Sequence, residues 1–293
     1  MRGDNSLKSR KLIFRILTWG TVVGLALLSS MVLGMMLGFH MSLVPANDQK
    51  TYQKYILKGT YLFDRLDSVS DMSDDFSKRW LPAIREFSRN SRIGVYVGEG
   101  TDATPFLQVQ LEKLGFDVIR FSHDEPEDIR QCEAIVFPGG HYDLGKWPSR
   151  TKKEFYDYVK NGGGFIGICL GVVAAKEIGL IEGELRPWPV TGFIRCKIID
   201  RTVFQKTPSH STMTFLHMNG RLLTDEPTLK PIIMFQQEVL AGYRHFGRGK
   251  IVLFSSHPEG GKIEYGNDYI ILEGTTLNTM DLLLDAIFYV CKK

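Results

Sequence analysis

From residue 91 onward, apolar and polar residues alternate in blocks of strand and helix length. Short apolar runs, which are typical of buried strands, lie within 92–100, 116–122, 132–140, 165–169 and 251–254. Two blocks between them, 102–115 and 151–164, carry apolar residues at helical spacing and end in glycine. Thr151 and Glu154 have capping-box spacing, which predicts the start of the second helix.

Strands that alternate with helices of this length favour right-handed βαβ units. The sequence therefore predicts an α/β fold, a three-layer sandwich built on a mostly parallel sheet. Ligands of such sheets bind beyond the carboxyl ends of the strands. Three polar segments follow predicted strands and should meet there: Gly139-Gly140, the segment around Cys169, and His257-Pro258-Glu259.

An uncharged run, 16–39, has a different pattern from the rest of the chain. As a helix it would be about 36 Å long, which is enough to cross a hydrocarbon core of roughly 30 Å. A cleaved signal peptide has a shorter apolar region, and a buried core helix of this length would need a larger protein around it. The pattern predicts an uncleaved transmembrane anchor through which the chain binds the membrane.

The charge distribution predicts the orientation of that anchor. Basic residues precede it, namely Arg2, Lys8, Arg10, Lys11 and Arg15, whereas the first one after it is Lys50. By the positive-inside rule, residues 1–15 are cytoplasmic and the rest of the chain is extracytoplasmic, in the periplasm or at the cell exterior. Residues 40–90 are interpreted as a partly helical stalk or linker, and 91–293 as the folded domain. Two Gly-x-x-x-Gly spacings in the anchor leave a homodimer open.

The composition adds little to this picture. The 293 residues are 43% hydrophobic and 24% charged, with a formal net charge of +3, which is typical of a globular chain and gives no indication of nucleic-acid binding. No cysteine or histidine pair has metal-ligand spacing, so neither a metal nor another cofactor is predicted. Cys132, Cys196 and Cys291 lie in apolar settings and are interpreted as core residues.

Residues 167–171, GICLG, have the G-x-nucleophile-x-G form of a nucleophile elbow. In such an elbow a strand turns sharply into a helix, and glycines relieve the crowding around the nucleophile. Cys169 would lie at a helix N-terminus, where the helix dipole favours a thiolate. The alternative is that Cys169 is a buried core residue and the glycines serve strand–helix packing.

His257 and Glu259 change the balance between these alternatives. An imidazole can serve as the base for a thiol, and a carboxylate two residues later can orient the ring. Cys169, His257 and Glu259 are therefore the candidate catalytic triad.

Together, the GICLG elbow, the upstream VFPGG turn and the downstream HPE resemble the class I glutamine amidotransferase superfamily over residues 91–293. Within it, VYVGEGT, NGGGFIGICLG and GRGKIVLFSSHPE resemble the biotin-protein ligase N-terminal domain family most, which implies a flavodoxin-like fold. The resemblance implies that Cys169 is the nucleophile, His257 its base and Glu259 the orienting acid. It also implies an oxyanion hole made by the Leu170 N–H and one from Gly139-Gly140.

Several further residues are candidates for lining the substrate pocket, each with an ordinary structural alternative. These are Glu99, His141, Tyr142, Val173, His217 and Asn219. Glutamine-hydrolysing members of the superfamily usually continue the elbow as C-x-G-x-Q, whereas this chain has Val173 at the last position. We therefore predict an amidotransferase-like hydrolase that cleaves a C–N amide bond through a thioester. Its substrate is an unknown small-molecule or peptide amide rather than free glutamine. The alternative is a non-catalytic module that binds a ligand or partner with the same pocket.

Overall fold

The computed structural model describes most of the chain from residue 74 onward. The described residues are 74–98, 101, 104–140, 143–188, 191–207, 212–218, 220–259, 263–265, 268–270 and 276–292. The predicted cytoplasmic segment 1–15, the predicted anchor 16–39 and the first part of the predicted stalk lie outside them. Within the described ranges, every helix is too short or too polar to cross a membrane.

The regular elements are as follows. The α-helices are α1 (Asp74–Phe87), α2 (Thr104–Leu114), α3 (Ser149–Lys160), α4 (Leu170–Ile178) and α5 (Thr276–Cys291). The strands are β1 (Ile93–Tyr96), β2 (Val118–Phe121), β3 (Ala134–Phe137), β4 (Gly164–Ile168), β5 (Arg186–Pro187), β6 (Thr191–Ile198), β7 (Thr212–Met218), β8 (Arg221–Leu222), β9 (Lys230–Phe235), β10 (Glu238–Phe246), β11 (Gly249–Phe254), β12 (Ile263–Tyr265) and β13 (Asp268–Ile270). Two 3-10 helices, Pro126–Gln131 and Leu144–Lys146, complete the set.

Five parallel strands form one half of the main sheet, in the order β2-β1-β3-β4-β11. We call these strands the parallel half. They include all the strands that the sequence predicts, so the predicted parallel α/β sheet is confirmed for this part of the chain. Their carboxyl ends lie at one edge of the sheet, which brings the segments after β3, β4 and β11 together.

Four further strands extend the same sheet in the order β10-β9-β6-β7, and each pairs antiparallel with its neighbour. We call them the antiparallel half. The apolar runs of the sequence do not predict it. The described sheet is therefore mixed, with the parallel half carrying the α/β architecture.

Helices cover both faces of the parallel half. Phe165 of β4 lies in one hydrophobic cluster with Phe155 of α3 and Ala174 of α4. The preceding residue, Gly164, lies against Val290 of α5. Successive residues of a strand point to opposite faces, so α5 covers the face opposite α3 and α4. This arrangement is the predicted three-layer sandwich.

Helix α1 lies within the segment predicted as a stalk and packs on this domain. Phe76, Trp80 and Ile84 are at most 1% exposed. The Trp80 Nε1–H donates to the Asp281 carboxylate on α5, and the Trp80 ring stacks on Phe288 at 5.8 Å between centroids. Residues 74–87 therefore contribute to the core of the domain.

The predicted capping box is wrong. Helix α3 begins at Ser149, two residues before Thr151, and has no side-chain cap. The Thr151 hydroxyl instead donates to the His123 carbonyl at 2.9 Å. The Thr151 hydroxyl therefore makes a tertiary contact instead of the helix cap that the Thr151–Glu154 spacing predicted.

Candidate active site

Cys169 lies at the sharp turn between β4 and α4. Its backbone has φ 53° and ψ −106°, in the positive-φ region that side-chain-bearing residues rarely adopt. Two glycines make the turn possible. A Cβ on Gly167 would lie 2.6 Å from the Gly171 carbonyl oxygen, and a Cβ on Gly171 would overlap the Phe137 carbonyl oxygen. The structure therefore has the geometry of a nucleophile elbow.

His257 and Glu259 follow β11, at the same edge of the sheet. The His257 Nδ1 and Glu259 Oε1 atoms are 2.8 Å apart, and the two residues are 5% and 1% exposed. Among the described residues, the second Glu259 carboxylate oxygen has no hydrogen-bond partner. A buried carboxylate in this position orients the ring and favours its charged form.

The turn after β3 closes the site. A Cβ on Gly139 would lie 2.7 Å from His257 Cε1 and 3.2 Å from Cys169 Cβ. The His257 ring therefore occupies the space that a side chain at residue 139 would need, and Gly139 lies against both candidate catalytic residues.

The electrostatics of His257 favour an imidazolium. Burial alone would lower its pKa, but the charge of Glu259, the charge of Cys169 and hydrogen bonds to both raise the pKa above its ordinary value of 6.5. The hydrogen bond from His257 to Cys169 links the three predicted triad residues into one chain of contacts. A thiolate–imidazolium pair is the reactive form of a cysteine nucleophile.

The predicted oxyanion donors are backbone N–H groups of segments next to Cys169. The Cys169 N–H donates to the Phe254 carbonyl at 2.8 Å and is therefore occupied. Leu170 is the first residue of α4, where backbone N–H groups have no intrahelical partner. The Gly139-Gly140 turn lies against Cys169, since a Cβ on Gly139 would be 3.2 Å from Cys169 Cβ. Both predicted donor segments therefore adjoin Cys169.

The other predicted site residues differ in burial and in their contacts. Val173, on the second turn of α4, is half-buried and packs against the core. His217 is fully buried, and both its ring nitrogens have protein partners. Its side chain therefore has neither an exposed surface nor a free nitrogen for a substrate. Its prediction as a lining residue is therefore corrected. The remaining predicted lining residues lie outside the described residues: Glu99, His141, Tyr142 and Asn219.

Ser256 contacts His217 and immediately precedes His257, and the sequence patterns did not indicate it. Its position beside the HPE segment was the only indication of a role that the sequence offered. The contact with His217 could not be predicted because the two residues are 39 apart in sequence.

The four cysteines are free, and Cys132 and Cys196 are buried. Among the described residues, His, Cys, Asp and Glu side chains form no group of three able to hold a metal.

Sequence comparisons relate part of the chain to glutamine amidotransferases. No protein-family model matches it. It is 28% identical over 149 residues to the phosphoribosylformylglycinamidine synthase subunit PurQ of Prochlorococcus marinus, which covers 45% of this chain and 67% of that protein. It is also 28% identical over 125 residues to PurQ of Pyrococcus furiosus, covering 38% of this chain and 56% of that protein. The similarity thus spans only part of each relative.

Structural comparisons identify the fold. PurLQS from Thermotoga maritima superposes with a TM-score of 0.52 and 17% identity, over 68% of this chain and 99% of that one. A GMP synthase protein from Thermoplasma acidophilum gives 0.51 and 16%, over 69% and 94%. The chain therefore has a mostly parallel α/β fold like that of these two proteins. The narrower resemblance to the biotin-protein ligase N-terminal domain family finds no support in these comparisons.

Proposed function

We propose that this protein is a cysteine-dependent enzyme that cleaves an amide C–N bond through a thioester on Cys169. One observation carries the proposal: a positive-φ cysteine on an elbow is hydrogen-bonded to a buried His257–Glu259 pair. A cysteine that served only packing would need neither the strained backbone nor the buried ion-pair partner.

In the proposed reaction, the Cys169 thiolate attacks the amide carbon and forms a tetrahedral oxyanion. The Leu170 N–H and an N–H of the Gly139-Gly140 turn stabilise this oxyanion. His257 then donates its proton to the leaving nitrogen, so the C–N bond breaks and a thioester remains. His257 next removes a proton from water, which attacks the thioester; the C–S bond breaks, the carboxylic acid leaves, and the Cys169 thiolate and His257 imidazolium are restored. Glu259 keeps the ring in position throughout.

The substrate proposal rests on Val173. A pocket that takes the glutamine side chain must satisfy its amide, because a buried unpaired polar group costs about 1–3 kcal/mol. Valine has no hydrogen-bonding group. We propose that the natural substrate presents an apolar or larger group at this point, as a peptide or cell-envelope amide would, and that free glutamine is a poor substrate.

The location of the enzyme is a further part of the proposal. The uncharged run 16–39 and the basic residues before it support a membrane-anchored protein whose domain lies outside the cytoplasm. A carboxyl-terminal fusion to a reporter that is active only in the cytoplasm should be silent. An active reporter would reverse the assignment.

Alkylation of the full-length chain tests the chemistry. Cys169 should react with iodoacetamide near neutral pH faster than Cys132, Cys196 and Cys291, as measured by mass spectrometry of the labelled peptides. His257→Ala should slow the labelling of Cys169 and leave the other three unchanged. If Cys169 labels equally fast in both proteins, His257 does not serve it, and the non-catalytic binding module is the better description.

Ammonia release from glutamine tests the substrate. The full-length protein and its Cys169→Ala variant should both release ammonia slowly from millimolar glutamine, and at similar rates. Rapid release that depends on Cys169 would overturn the substrate proposal and indicate an ordinary glutaminase.

A further inference from the structure

His217 is a second buried histidine beside the candidate triad. It lies near the end of β7, and its Nδ1 is 3.1 Å from Ser256 Oγ. The Gly220 N–H donates to Nε2 at 3.2 Å. Because Nε2 accepts, a neutral ring carries its hydrogen on Nδ1, and this N–H donates to the Ser256 hydroxyl.

The ring stays neutral under physiological conditions. Burial and, to a smaller extent, the charge of His257 lower the pKa of His217, a hydrogen bond to the Trp188 backbone opposes them, and the resulting pKa is about 4. The Trp188 ring covers His217, with 4.5 Å between ring centroids. His217 therefore offers Ser256 a fixed donor without adding a second positive charge next to His257.

Ser255 and Ser256 are held from several sides. The Ser255 N–H donates to the Leu240 carbonyl at 2.7 Å, and its hydroxyl donates to the Arg221 carbonyl. A Cβ on Gly220 would overlap the Ser255 carbonyl oxygen. The Ser256 hydroxyl is bound to His217, so the residue next to His257 is fixed by a side chain from β7 of the antiparallel half.

We propose that His217 is a positioning residue for the candidate triad, acting through Ser256. The contact with Glu259 holds the His257 ring through Nδ1. The backbone before His257 must also be fixed, because Gly139 leaves little room: a single Cβ there would already lie 2.7 Å from His257 Cε1. His217 supplies this restraint by donating to Ser256. The inference rests on the proposed function of Cys169 and His257.

Variants at Ser256 in the full-length chain test the inference. Ser256→Ala removes the hydroxyl that His217 Nδ1 contacts, so the segment before His257 loses this restraint and the alkylation rate of Cys169 should fall roughly tenfold. Ser256→Thr keeps a hydroxyl and should retain most of the rate. His217→Asn, whose amide N–H can replace Nδ1–H, should retain more of it than His217→Leu. Thermal unfolding of each variant shows whether the domain remains folded.

A second readout does not depend on reactivity. In protein labelled with ¹⁵N-histidine, the proton shared by His257 and Glu259 should give a downfield imidazole resonance that disappears in His257→Ala. Ser256→Ala should broaden or shift this resonance, and Ser256→Thr should restore it. An unchanged resonance and an unchanged alkylation rate in Ser256→Ala would overturn the inference. Equal losses in Ser256→Ala and Ser256→Thr would overturn it as well, since packing rather than the hydroxyl would then matter.

The two proposals fail differently. If His257→Ala slows alkylation but Ser256→Ala does not, the proposed function stands and the positioning role is wrong. If His257→Ala has no effect on alkylation, the proposed function fails, while the imidazole resonance still decides whether His217 positions the ring.

Discussion

The two halves of the sheet contribute to the candidate site in different ways. Cys169, His257 and Glu259 all follow strands of the parallel half, and Gly139 follows another of its strands. The antiparallel half supplies none of these groups. It supplies His217 on β7 and the Leu240 carbonyl on β10, which bind the segment just before His257. The reacting groups thus come from one half and part of their support from the other.

The largest expected effect comes from the parallel half. Gly139→Ala places a Cβ 2.7 Å from His257 Cε1, so the ring must move away from Cys169. The alkylation rate of Cys169 should fall roughly 100-fold, because small displacements of reacting groups are costly. Gly145→Ala is the control, since its Cβ would meet only the flexible Asp143 side chain, at 3.2 Å. A wild-type rate in Gly139→Ala would show that the turn does not position the ring.

Gly171→Ala should affect stability in the same half. Its Cβ would overlap the Phe137 carbonyl oxygen and lie 3.1 Å from Phe137 Cβ, so α4 must move away from β3. Overpacking of this kind should lower the free energy of unfolding by about 2 kcal/mol, measured by urea denaturation. Lys176→Ala, on the exposed side of the same helix, should change it little. Similar values for the two variants would contradict the close strand–helix contact.

Glu226→Gln should lower the stability of the domain without changing the reactivity of Cys169. The buried Glu226 carboxylate accepts from Glu182 N and Thr228 N at 2.9 Å each, and also from Gly183 N and Thr228 Oγ1. Gln replaces one acceptor with a donor, so unfolding should become easier by about 1.5 kcal/mol. Cys169 alkylation should not change. A large loss of reactivity would show that this loop contact also supports the triad.

The effect of Glu226→Gln should depend on pH. Burial would raise the pKa of Glu226, but the hydrogen bonds that it accepts lower it below its ordinary value of 4.5. A lowered pKa in the folded state adds stability above the unfolded-state pKa, and this stability is lost as the pH falls. The difference between wild type and Glu226→Gln should therefore be largest near neutral pH and shrink below about pH 4.

Asp281→Asn should have the smallest effect, and one of opposite pH dependence. Burial raises the pKa of Asp281 from 3.8 to about 6, although donors from Trp80 and Arg79 oppose the rise. The folded state therefore prefers the protonated acid, so the stability contributed by Asp281 is complete below about pH 4 and is lost as the pH rises through 6. Between pH 4 and 7 the melting temperature of wild type should fall by about 3 °C relative to Asp281→Asn. A constant difference would contradict the raised pKa.

The sequence predicted the parallel half because its signals are local. Each of its strands is an apolar run, and the elbow and the HPE segment follow two of them directly. The antiparallel half was missed because its order depends on distant pairings, such as Lys197 with Met234. The contact between His217 and Ser256 escaped prediction for the same reason. Thr151 shows the converse, because the local spacing predicted a capping box, whereas its hydroxyl makes a tertiary contact with the His123 carbonyl.

The packing of α1 on α5 has a mechanical consequence. Trp80 and Arg79 both bind Asp281, so the first described helix is fastened to the last one. A pulling force on the chain before residue 74 would load this contact first, and α5 would transmit the load across the sheet face opposite α3 and α4. Helix α5 contacts β4 and β11, the strands that lead to Cys169 and His257, so part of the load would reach these strands. Tension on the N-terminal side of α1 could therefore reach the turn that carries Cys169.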